Sequence, residues 1–150
     1  MRIMKLLSIF NLSLIGLITA CTSTPYTRGL TPAINGVLNI NSQPRAGIDL
    51  YLSRDSKDLN CSKAAKTTVT DEQGQFHFDA IKEQMNYTPL MTYYLNEWVI
   101  CAELHGSKQV IYTDNNYAQG SVMGTINLIC DSHSKLSKQI KCINQSARAN

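Results

Sequence analysis

The sequence predicts an all-β domain, an antiparallel β-sandwich of about seven strands held by two disulfides. Three observations predict it. Apolar residues recur at every second position in short runs. Turn-forming residues separate these runs at short intervals. No stretch carries the helical recurrence of a long amphipathic α-helix. A chain of 150 residues suits one domain, and a 43% hydrophobic content supplies a core while excluding wholesale disorder.

The elements follow in order. Ile34, Gly36, Leu38 and Ile40 share one face of the first run, with Asn35, Val37 and Asn39 opposite. Pro44 and Gly47 bracket a turn. Ile48, Leu50 and Leu52 then share a face, against Asp49, Tyr51 and Ser53. The polar stretch Arg54 to Ser62 reads as a loop. Thr67 to Thr70 is β-rich, Asp71-Glu72-Gln73-Gly74 is a turn, and Phe76 and Phe78 face away from His77 and Asp79. These two runs read as a hairpin. Ala80 to Pro89 is less regular, with room for one short helical turn.

Glu97 to Leu104 is strongly strand-like, with Trp98, Ile100, Ala102 and Leu104 inward and Val99, Cys101 and Glu103 opposite. His105-Gly106-Ser107-Lys108 is a turn, and Gln109 to Thr113 is its hairpin partner. Asp114-Asn115-Asn116 marks another loop. Ser121 to Ile129 reads as the last strand, with Val122, Ile126 and Leu128 on one face and Cys130 continuing it. The polar segment Asp131 to Lys141 is either a short helix or an irregular stretch pinned by Cys142.

Before these runs lies a different kind of sequence. Arg2 and Lys5 precede an apolar run from Leu6 to Leu17, and Ile18-Thr19-Ala20-Cys21 follows. The run is too short for a transmembrane span, which needs roughly 20 apolar residues. An aliphatic residue, two small residues and a cysteine resemble the bacterial lipobox. The resemblance implies a signal peptide over 1–20, cleavage before Cys21, and modification of that cysteine with acyl chains such as palmitate. Thr22, rather than an aspartate, follows Cys21. In Gram-negative lipoproteins this implies sorting to the outer membrane, with the domain facing the periplasm. The Thr/Ser/Pro-rich residues 21–33 then read as a tether, and the domain as 34–150. Loss of Arg2 and Lys5 leaves 12 basic against 11 acidic residues. So balanced a chain offers no electrostatic case for nucleic acid.

One of the five cysteines is thereby assigned to lipid, leaving Cys61, Cys101, Cys130 and Cys142 in an oxidising compartment. Their spacings of 40, 29 and 12 lack the paired pattern of a zinc site. Several connectivities are open. The closeness of Cys130 and Cys142 favours that bridge, which leaves Cys61 with Cys101.

Asn35-Gly36-Val37, then Pro44-Arg45-Ala46-Gly47-Ile48-Asp49-Leu50-Tyr51-Leu52, then Thr70-Asp71-Glu72-Gln73-Gly74-Gln75-Phe76-His77-Phe78 resemble the carboxypeptidase regulatory-like domain, a transthyretin-like β-sandwich. The resemblance spans Gly36 to Phe78 and implies that fold. Some transthyretin-like proteins hydrolyse 5-hydroxyisourate through a Tyr-Arg-Gly-Ser tail. This sequence closes on Ser146-Ala147-Arg148-Ala149-Asn150 instead, so the resemblance carries no such site.

Nothing in the sequence assembles a catalytic set. His77, His105 and His133 are not spaced for a shared metal, and each reads as a surface residue. No phosphate-binding, dinucleotide-binding or nucleophile-elbow motif is present. No metal or cofactor is implied. Tyr87, Tyr93, Tyr94, Tyr112 and Tyr117 crowd the second half with Trp98, and Asp114, Asn115, Asn116 and Tyr117 form a candidate recognition loop for an envelope protein or a glycan. The expected function is a non-catalytic binding or structural module on an outer-membrane lipoprotein. The alternatives are a component of a secretion machine or a periplasmic immunity lipoprotein, and a hydrolase or ligand-binding protein with an unfamiliar site.

Overall fold

Alternating burial marks the strands that carry the central core among the described residues. The computed structural model describes residues 25–86, 93–119, 124–132 and 139–145, with the backbone alone at 93–95 and 116–119. Those residues form eleven strands: β1 Tyr26–Gly29, β2 Ala33–Ile40, β3 Gln43–Pro44, β4 Asp49–Ser53, β5 Ala64–Val69, β6 Gln75–Phe78, β7 Lys82–Met85, β8 Tyr93–Leu104, β9 Ser107–Gln119, β10 Thr125–Asp131 and β11 Lys141–Asn144. The signal segment, Cys21 and His133 lie outside the described residues.

Two sheets face each other. The first runs β11-β10-β2, and β2 then pairs with β6 along Ile34–Val37 and with β3 at its end. The second runs β5-β4-β8-β9. The strands β1 and β7 pair with each other. Ile34, Leu38, Phe76, Phe78, Leu128 and Cys130 project from the first sheet onto Leu50, Leu52, Trp98, Ile100, Ala102 and Ile111 of the second. Period-2 alternation makes this possible, since one face of each strand can be wholly apolar while the other meets water. The protein is thus an all-β sandwich, as the patterning predicts.

Both bridges form as the spacing favours. Cys61 is bonded to Cys101, and Cys130 to Cys142. The first closes a small second core on the outer side of the β4–β8 pair, where Cys61, Val99 and Cys101 are buried under Tyr51 and Val110. This explains why both parities of β8 are apolar. The second joins directly opposite residues of β10 and β11.

Several elements depart from the sequence reading. The runs flanking Asp71–Gly74 do not form a hairpin: β5 pairs with β4, and β6 pairs with β2. The turn carries the chain from one sheet to the other. Asp71 Oδ1 accepts from Gln73 N at 3.0 Å and Gln75 N at 2.7 Å, and Gly74 takes φ +72°. Within the stretch Ala80 to Pro89, the described residues 80–86 hold strand β7 rather than a helical turn, and residues 87–89 lie outside the described residues. The β7 partner, β1, lies within the expected tether, where Leu30 and Thr31 are buried and Thr31 Oγ1 accepts from Ile81 N at 3.0 Å.

Asp114-Asn115-Asn116 is not a loop. It continues β9, with Asp114 opposite Trp98, Asn115 opposite Glu97 and Asn116 opposite Asn96. The long partner strand β8 supplies a ladder that overrides the turn preference of Asp and Asn. The strand at Thr125–Asp131 is followed by another, β11. One ladder is parallel: β10 runs alongside β2 from Thr125↔Ala33 to Asp131↔Asn39.

Candidate ligand groove

The parallel ladder decides which outward side chains become neighbours. The inward positions of β2, β6 and β10 fill the core, so the residues between them form the outer face of the first sheet. Register places Asn127 beside Asn35, and Asn35 beside His77. The next row holds Ile143, Ile129, Val37 and Gln75. Neighbouring strands lie about 4.8 Å apart and the two rows about 7 Å apart. A polar row of amides and imidazole therefore runs parallel to a mainly aliphatic row.

An open groove of about 590 Å³ lies over these rows. Asn35, Val37, Gln75, His77, Asn127 and Ile129 make its floor, Val69 and Asp71 one wall, and Gln145 the other. Its volume falls within the roughly 300–1,000 Å³ of small-ligand sites.

His77 is engaged at both ring nitrogens. Nδ1 is 2.7 Å from Asn35 Oδ1 and Nε2 is 3.1 Å from Asp79 Oδ1. The ring therefore bridges the β2 amide and the Asp79 carboxyl across the sheet surface. The Asp79 carboxyl is held below its ordinary range first by the His77 hydrogen bond and then by Lys66, whose Nζ stands 3.6 Å from Oδ2. Among the described residues, no group of His, Cys, Asp and Glu could hold a metal ion.

The residues singled out from sequence fall elsewhere. Asp114 and Asn115 lie on β9, Asp114 half-buried on the Trp98 side and Asn115 exposed, with Asn116 and Tyr117 following in the same strand. His105 sits exposed at the β8–β9 turn with φ +54°. His77 is exposed, as its parity predicts, but the sequence does not disclose its bonds to Asn35 and Asp79. Asn127 and Gln145 carried no sequence signal, because only the β10–β2 pairing and β11 bring them to the groove. Tyr112 packs against Trp98 with centroids 5.2 Å apart, so it serves the core rather than a partner surface.

A family model described as a domain of unknown function, DUF6795, matches residues 34–132. The chain belongs to this family. No curated protein matches it. The DUF6795 domain begins on β2 and ends just beyond β10, so the parallel pair joins the two ends of the matched segment. Every groove residue except Gln145 lies within the DUF6795 domain; β1 and Cys142 flank it.

Proposed function

We propose that this protein is a lipid-anchored lipoprotein of the outer membrane whose β-sandwich is a non-catalytic binding module facing the periplasm. The observation that carries the binding role is the groove whose floor sets the amides of Asn35 and Asn127 and the His77 ring beside a mainly aliphatic row. Such a surface offers hydrogen-bond donors and acceptors next to apolar contact. The sequence Ile18-Thr19-Ala20-Cys21 supports the anchor, and the two disulfides suit an oxidising compartment.

Mass spectrometry of the membrane-extracted protein, before and after reduction, tests this reading. The expected mass begins at Cys21 and includes acyl chains. A mature chain without lipid overturns the anchor. Replacing Cys21→Ser is expected to shift the protein from the membrane to the soluble fraction.

A further inference from the structure

We propose that the outer-face groove binds a neutral saccharide bearing acetamido groups, an inference that rests on the binding-module reading above. The argument starts from what the floor can offer. The strands β10 and β2 are interior to their sheet, with β11 and β6 on their far sides. Their backbone groups are consumed by ladders, so an extended peptide finds no strand edge there to pair with. Recognition must come from side chains. Asn35, Gln75, Asn127 and Gln145 are amides, each able to donate and accept.

Charge is sparse. Among the described lining residues Asp71 is the one carboxylate, its Oδ1 accepts within its own turn, and no Lys or Arg is present. A strongly anionic ligand therefore meets no Lys or Arg in the groove, and a polycation meets a single carboxylate. The polar row and the row of Val37 and Ile129 lie side by side. This suits a ring with hydroxyls on its rim and C–H groups on its face. An acetamido substituent repeats the same pairing on a smaller scale. Its amide can exchange two hydrogen bonds with Asn127 or Gln145, while its methyl rests on Ile129.

The test titrates the detergent-solubilised full chain with diacetylchitobiose and separately with cellobiose, following heat or amide shifts. Cellobiose keeps the rings and linkage but carries hydroxyls in place of the acetamides. Diacetylchitobiose is expected to bind and cellobiose to bind roughly tenfold more weakly. Asn127→Ala, at an exposed position, is expected to weaken binding by about fivefold to tenfold, as loss of one or two hydrogen bonds predicts. Gln84→Ala, an exposed amide on β7 away from the groove, is expected to leave binding unchanged. Thermal unfolding of each variant reports whether it is folded. Equal binding of the two sugars, binding by neither, or indifference to Asn127→Ala overturns the proposal. Failure to bind in a protein that is acylated at Cys21 removes the saccharide and keeps the anchor. Binding by an unacylated protein does the reverse.

Discussion

Phe76 is the cross-strand partner of Gly36, and its ring covers the space that a side chain at Gly36 would fill. A β-carbon there would fall inside van der Waals distance of the ring carbons. The glycine of Asn35-Gly36-Val37 and the first phenylalanine of Phe76-His77-Phe78 thus meet as one packing unit.

Gly36→Ala is therefore expected to cost about 1–3 kcal/mol through overpacking. Urea unfolding should show a lower midpoint at unchanged slope. Combining it with Phe76→Ala should cost less than the sum of the two single changes, because the clash vanishes with the ring. Strict additivity would mean that the ring does not constrain position 36.

The two bridges should differ in weight. Cys61–Cys101 closes a separation of 40 residues and Cys130–Cys142 one of 12. Loop-closure entropy gives about 4 and about 3 kcal/mol respectively. Removing the first also uncovers Val99 and the second core beneath Tyr51. Denaturant midpoints should fall further for the Cys61→Ala/Cys101→Ala pair than for the Cys130→Ala/Cys142→Ala pair.

Acid should act through Asp58. Its carboxylate accepts from Lys63 N at 2.8 Å, and from Ser62 N, Ser62 Oγ and Ser53 Oγ at 2.9 Å. The backbone N–H of Lys63 leads in holding its pKa down, from 3.8 to about 2. The stabilisation is present above the unfolded value of 3.8 and is lost as the pH falls through about 2. Asp58→Asn should flatten the acid limb of a stability–pH curve in that window. It should also loosen the loop that delivers Cys61, whose N–H donates to Asp58 O at 2.9 Å.

Alkali should act through Tyr51. Its hydroxyl donates to Glu103 Oε2 at 2.6 Å, and Lys108 Nζ stands 3.6 Å from the ring centroid. The bond to Glu103, foremost, pushes the phenol from 10.0 up to about 12. Its stabilisation is complete below 10.0 and fades as the pH rises through about 12. Tyr51→Phe should remove that part of the alkaline loss of stability. An unchanged alkaline limb would show that Glu103 does not hold the phenol.

The core was legible because parity reports burial directly. Ile34, Leu38, Leu50, Leu52, Phe76, Phe78, Trp98 and Ile100 are all buried on the faces that alternation assigns them. The disulfides were legible because four cysteines with one short spacing favour one pairing. Strand partnership was less so. Asp71–Gly74 has good turn chemistry, which fixes the turn but not the sheet that receives the next strand. Tyr26–Gly29 hides among Thr and Pro residues, and only Lys82–Met85 makes it a strand. The groove depended on what is hardest to read. Asn127 and Asn35 are far apart in the chain, and no local feature announces that β10 lies parallel to β2.

That parallel pair also has a mechanical meaning. In a parallel ladder, the start of one strand and the finish of the other lie at opposite ends. A pull on the chain ahead of β2, opposed by a load beyond β10, would slide the two strands lengthwise past each other. The hydrogen bonds between Ala33–Asn39 and Thr125–Asp131 would then resist together rather than open one after another. The sandwich is built to hold against drag along its own axis.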